Sequence, residues 1–223
     1  MDSQFVIQDP ESGERHQSSG EEIANSVSHG LGLLAALIGV PFLLRQAVRH
    51  GDRIFFVGQC IFVATIVLLY LTSTLYHALP RGKAKHVFRI IEHSSIFFLI
   101  AGTYTPFTLG VLRGSWGWTL LGLIWTLAAS GVILKLARGV RYPIISTALY
   151  LLMGWVVLIA IRPLSLRMPH AGFVWILLGG LAYSAGVIFY AIDYRMRYSH
   201  FIWHLFVLAG TVLHYFAVYW YAA

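Results

Sequence analysis

Ser73 and His77 lie four residues apart, and His200 and His204 repeat that spacing, so each pair shares one face of any helix that carries it. Glu92 with His93 beside it, and Glu22, Asn25 and His29 at i, i+3 and i+7, complete a set of polar residues embedded in apolar sequence. Two histidines one turn apart aim their imidazoles at a common point, and a third from another helix makes a three-nitrogen metal site. Three protein ligands plus a water is the arrangement of a catalytic zinc, whereas a fourth ligand closes the site. Imidazole without thiolate suits Zn2+, with Fe, Co and Ni as chemically acceptable alternatives. Cys60, the one cysteine, sits in an apolar run and excludes both a disulfide framework and a thiolate metal site. Glu92 could polarise a metal-bound water as general base or orient a histidine. Ser73, on the His77 face, could donate to that water or to a substrate oxyanion.

The elements that must position these residues are membrane spans. The chain is 58% hydrophobic and 11% charged, less than half the charge of an ordinary soluble domain. About 20 apolar residues cross a bilayer core, and seven such stretches stand between the charges: 25–44, 54–79, 90–112, 116–134, 142–161, 171–192 and 201–221. The fold class expected is therefore all-α, a bundle of seven transmembrane helices. Residues 1–24 hold six acids and one base and include Pro10, Gly13 and Gly20, the composition of a disordered acidic tail. Residues 25–223 form a single transmembrane domain with no visible internal repeat. The bases of that domain are scattered between apolar runs, which excludes a nucleic-acid partner.

Orientation follows from the loop cations. With the N-terminus in the cytoplasm, ten Lys and Arg fall inside and six outside, and the C-terminus lies outside. In that topology the second span ends, and the first, third and seventh begin, at the cytoplasmic face. The Ser73/His77, Glu22/Asn25/His29, Glu92 and His200/His204 sets then share one membrane depth. A lone interfacial histidine is usually an anchor, which is the reading for His50, His86 and His170. His93 is turned about 100° from Glu92 on a helix and reads as a helix-contact residue. His214 faces as His204 does but lies about 15 Å deeper, beyond reach of the same metal. Gly30, Gly32, Gly179 and Gly180 read as helix-packing contacts, and Pro106 as a kink.

Four stretches carry a family resemblance. Residues 21–29 (EEIANSVSH), 73–77 (STLYH), 100–107 (IAGTYTPF) and 200–204 (HFIWH) resemble, in this order, the bacterial hemolysin III proteins. These are grouped with the progestin and adiponectin receptors and the alkaline ceramidases as membrane hydrolases. The resemblance runs from about residue 21 to the C-terminus. It implies seven helices with a cytoplasmic N-terminus and a zinc held by His77, His200 and His204. In the family the acid at the head of the third span is normally Asp; here it is Glu92, one methylene longer.

The function expected first is zinc-dependent hydrolysis of an amide or ester bond in a membrane lipid, within a bacterial inner membrane and linked to membrane homeostasis. The second class is a sensor or regulator of membrane state, in which the metal is structural. A cytolytic pore is disfavoured, because seven helices around a ligand cluster do not line an open channel. A transporter is disfavoured by the single embedded acid and the lack of an inverted repeat.

Overall fold

The computed structural model describes residues 15–223. All the elements among them are helical. They are α1 (Ser19–His50), α2 (Arg53–Ala78), α3 (Lys83–Leu109), α4 (Ser115–Arg138), α5 (Pro143–Trp155), α6 (Ile161–Arg167), α7 (His170–Ala191) and α8 (Ser199–Tyr221). A turn of 3-10 helix, Val156–Ala160, joins α5 to α6, so the stretch Pro143–Arg167 is one long, broken helix. Of the seven long helices, six are long and apolar enough to cross a membrane. The other is α3. At 27 residues it has the length, but Glu92, His93, Ser94, Ser95, Thr103, Thr105 and Thr108 make it polar, and all seven are buried. Its neighbours α2, α4, α5 and α8 shield them.

Two expected boundaries move. Helix α3 starts at Lys83, so most of the expected loop 80–89 is helix. Helix α1 starts at Ser19, because Ser18 accepts from the Glu21 backbone N–H while the Glu21 side chain accepts from that of Ser18. This reciprocal cap fixes the start of the helix, so the expected disordered stretch is ordered over residues 15–24, while 1–14 lie outside the described residues. At the other end of the first helical hairpin, backbone N–H groups of Phe55 and Ile54, with the Arg113 guanidinium, hold the Asp52 carboxyl below the usual carboxylate range.

The packing is inside out. Leu31, Ile38, Ile133 and Ile144 are exposed, whereas Asn25, Gln59, Ser73 and His204 are fully enclosed. Helices α1, α2 and α3 pack in sequence, and α8 packs against both α7 and α1. Close approach sets the α2–α3 register: a Cβ on Gly102 would lie 2.0 Å from the Thr65 Oγ1. Of the four glycines read as packing contacts, Gly32 and Gly179 are tightly covered, by Leu208 and His214. Gly30 meets only ordinary contact distances and Gly180 faces open space.

The break between α5 and α6 is held by Tyr104 of α3. Its hydroxyl lies 2.9 Å from the Met153 carbonyl oxygen and 2.8 Å from that of Gly154, and it accepts the Val157 N–H at 2.9 Å. Backbone groups freed at membrane depth must find partners within the protein, and one phenol supplies them here. Tyr104→Phe should therefore cost about 1–3 kcal/mol, read as a lowered midpoint in thermal unfolding of the detergent-solubilised protein. An unchanged midpoint would mean the break is solvated by other means.

Candidate metal centre

His77 near the end of α2 and His200 and His204 in the first turns of α8 converge, each offering a ligand atom within 4.8 Å of the others. The ring centroids lie 4.8–5.2 Å apart. All three residues are buried. Their second nitrogens are occupied. His77 Nδ1–H donates to Glu22 Oε2 at 2.7 Å. His204 Nδ1 lies 3.1 Å from the Ser28 hydroxyl and 3.3 Å from the Asn25 carbonyl oxygen. His200 Nδ1 stands 3.6 Å from Asp193 Oδ2. Facing acceptors, these Nδ1 atoms carry the proton, which leaves the lone pair on Nε2. All three Nε2 atoms are buried and have no hydrogen-bond partner among the described residues. Carboxylate or carbonyl behind imidazole, with the far nitrogen bare, is how metal-ligating histidines are oriented, so the donor set fits a divalent ion.

The fourth ring is His29. It stacks on His204 with centroids 3.6 Å apart and planes 4° from parallel. Its Nδ1 is 2.7 Å from Ser73 Oγ. Ser73, which shares a helix face with His77, is thus engaged with His29. The series in α1 divides its labour: Glu22 holds His77, the Asn25 carbonyl and Ser28 hold His204, and His29 backs His204 while binding Ser73.

Glu92 is buried, and it shares the wall of one cavity with His29. Its Oε2 lies 2.8 Å from His93 Nδ1, while Oε1 has no hydrogen-bond partner among the described residues. His93 is therefore turned toward its neighbour as well as toward the Arg89 carbonyl oxygen at 2.8 Å. The expected divergence of the two side chains neglected the reach of both around the helix. Beyond Glu92 and His29 opens a cavity of about 110 Å³ with apolar walls that include Ile96, Leu99 and Val207. It ends at His214, whose Nδ1 donates to the Gly210 carbonyl oxygen at 2.8 Å.

Sequence reasoning missed the strap that orders the start of α8. Arg15 reaches both oxygens of Glu21 and the backbone and side chain of Asp193. Gln17 donates to Asp193 and accepts from Asn25. Glu21 also accepts the N–H of Tyr198, which lies in the left-handed region at φ 59° just before α8. Burial works to raise the Asp193 carboxyl, but its contact with the His200 ring, with Gln17 and Arg15, holds it below the usual range. The Ser18-x-x-Glu21 pattern is the one local signal that could have placed this turn.

With this geometry in view, comparison with known proteins is informative. The chain matches the family described as "Haemolysin-III related" over residues 17–215. The chain belongs to that family. It is 44% identical over 201 residues to the "Hemolysin-3 homolog" of Bacillus subtilis (strain 168), covering 90% of this chain and 94% of the relative. Against "Hemolysin-3" of Bacillus cereus the identity is 43%, covering 90% and 91%. The human "Monocyte to macrophage differentiation factor" is 27% identical over 221 residues, covering 95% and 89%, which extends the likeness to the wider receptor group. No solved structure matches. With this membership and its membrane-length helices, the molecule is an integral membrane protein.

The strap makes a stability prediction. Glu21 is 2% exposed, and removing one partner of a buried ion pair leaves a charge uncompensated. Arg15→Met should cost about 3 kcal/mol, and the double variant with Glu21→Gln should recover most of it. Equal midpoints for wild type and Arg15→Met in thermal unfolding would show that the strap is ornamental.

Proposed function

We propose that this haemolysin III family member is a zinc-dependent hydrolase of an amide or ester bond in a membrane lipid, resident in a bacterial inner membrane. Three buried, converging histidines whose Nε2 atoms have no hydrogen-bond partner among the described residues, with an apolar cavity lined by Glu92 and His29, are the observation that carries this reading. His77, His200 and His204 would hold the ion. Zinc bound there supplies a water acidified to a pKa of about 7 and a centre that polarises a carbonyl.

The remaining steps belong to the chain itself. Glu22, Asp193 and the Asn25 carbonyl hold the three imidazoles in the tautomer that presents Nε2. Glu92, with Oε1 free of donors among the described residues, accepts the proton of the attacking water and returns it to the leaving group. Ser73, oriented by His29, is the hydroxyl available to a developing oxyanion. The apolar cavity beside Glu92 receives hydrocarbon and keeps bulk water from the reacting bond. Counting α3, the chain crosses the membrane seven times, with the N-terminus in the cytoplasm.

Two measurements test this reading. Glu92→Gln preserves size and hydrogen bonding while removing the base, and should lower fatty-acid release from ceramide-like or phospholipid substrates by about 10²–10⁴-fold. If wild type releases no fatty acid from any such lipid, the triad serves a sensor of membrane state. If it instead leaks dye from liposomes, the cytolytic activity named in its relatives applies. Separately, a reporter at Gly139 should lie in the cytoplasm and one after Ala223 outside. A cytoplasmic C-terminus would sink the seven-crossing topology.

A further inference from the structure

The apolar cavity beyond Glu92 continues past His214. A second cavity, of about 60 Å³, follows it along α3, and the two share a wall formed by Thr103, Tyr104, Gly154, Trp155, Gly180 and His214. The inner cavity alone runs beside α3 from Glu92 to Tyr104, a rise of about 18 Å. With the outer one the corridor reaches Thr108, about 24 Å from Glu92 along the helix. Its two ends differ in chemistry. At the inner end the buried residues His29 and Glu92 bring to the wall two atoms, Nε2 and Oε1, with no hydrogen-bond partner among the described residues. The outer end is walled by Leu112, Leu120 and Leu164.

The waist between the cavities asks for no polar ligand. Thr103 donates to the Leu99 carbonyl oxygen, Trp155 to Ser184 Oγ and His214 to the Gly210 carbonyl oxygen, while the Tyr104 hydroxyl serves the break between α5 and α6. What opens the waist is the lack of a side chain on two of its flanks. A Cβ on Gly154 of α5 or on Gly180 of α7 would meet no neighbouring group within 4 Å, whereas one on the adjacent Gly179 would lie 2.3 Å from the His214 ring. Apolar cavities of this kind stay dry and take up hydrocarbon.

From these observations we infer that Gly154 and Gly180 set the length of the acyl chain this protein accepts, by holding open the waist through which the chain passes from the inner cavity to the outer one. The inference rests on the hydrolase reading for its role, since the histidine cluster fixes where the polar end of the chain lies. The substrate class is then a lipid with one long, unbranched acyl chain. A short chain ends within the inner cavity and never meets the waist. A long one buries its far methylenes in the outer cavity, among leucines. Two small cavities in series along so long a path have no room for a branched or ring-bearing chain.

Binding of tritiated octanoic and hexadecanoic acids to the purified full-length protein tests the waist without asking for turnover. A protein that binds these chains but hydrolyses no lipid would defeat the hydrolase reading alone. Each variant is compared with wild type for each acid, which cancels the partition of the probe into detergent. Gly180→Leu should weaken hexadecanoic acid at least about tenfold, because methylenes beyond the waist lose their burial, and leave octanoic acid within about twofold. Gly154→Leu, entering the waist from α5, should do the same, and retained octanoic acid binding certifies the fold of each variant. Gly122→Leu, the same change at an open glycine of α4 outside both cavities, should alter neither acid. Equal losses of both acids in the two waist variants, with circular dichroism unchanged, would make the gap a door between α5 and α7 and overturn the inference. Undiminished hexadecanoic acid binding in both, the same chain-length effect in Gly122→Leu, or a wild type that binds neither acid would overturn it as well.

Discussion

Three imidazoles can offer lone pairs to one point only if each ring is held by its other nitrogen. That constraint organises one whole end of this bundle. The holders are an acid and a carbonyl from α1 and an acid from the turn before α8, with Ser28 as a further contact. Each is held in turn: Glu22 by Lys85, Asp193 by Arg15 and Gln17, and the start of α8 by Glu21.

The same constraint explains why the most polar long helix is the most enclosed. Helix α3 carries Glu92 into the bundle only because α2, α4, α5 and α8 surround it. Small residues let α2 and α3 approach, fixing Ser73 and His77 relative to Glu92. Farther along α3, Tyr104 satisfies the broken backbone between α5 and α6, and that break lets Gly154 and Trp155 line the apolar cavity. Site and cavity thus share one scaffold.

Much of this was legible in the sequence, and the exceptions have physical causes. Spacing alone put His200 beside His204 and aligned Glu22, Asn25 and His29, because helical periodicity converts register into facing. Long apolar runs gave the helices for the same reason. Loop lengths were misjudged where charge was equated with exposure: Lys83, Lys85 and Arg89 belong to α3. The acids of residues 1–24 other than Glu22 read as a solvated tail, yet Glu21 is a structural anion held by Arg15. Spacing puts Glu22 in the polar set but does not name its partners, His77 and Lys85, which lie far along the chain. Ser73 faces His29, since a helix face is shared by several neighbours and spacing does not say which is nearest. Asp193 escaped notice because its turn is placed against His200 and Arg15 by tertiary packing alone.

The central claim is that the three Nε2 atoms together form a metal site. The most direct test is the metal content of the purified protein beside His204→Ala, with circular dichroism to confirm that both are folded. The account predicts about one zinc per wild-type chain and loss of most of it in the variant, because two imidazoles no longer make the three-ligand set of such a site. A folded wild-type protein that carries no metal and takes up none on dialysis against zinc would contradict it, as would a variant that retains a full equivalent.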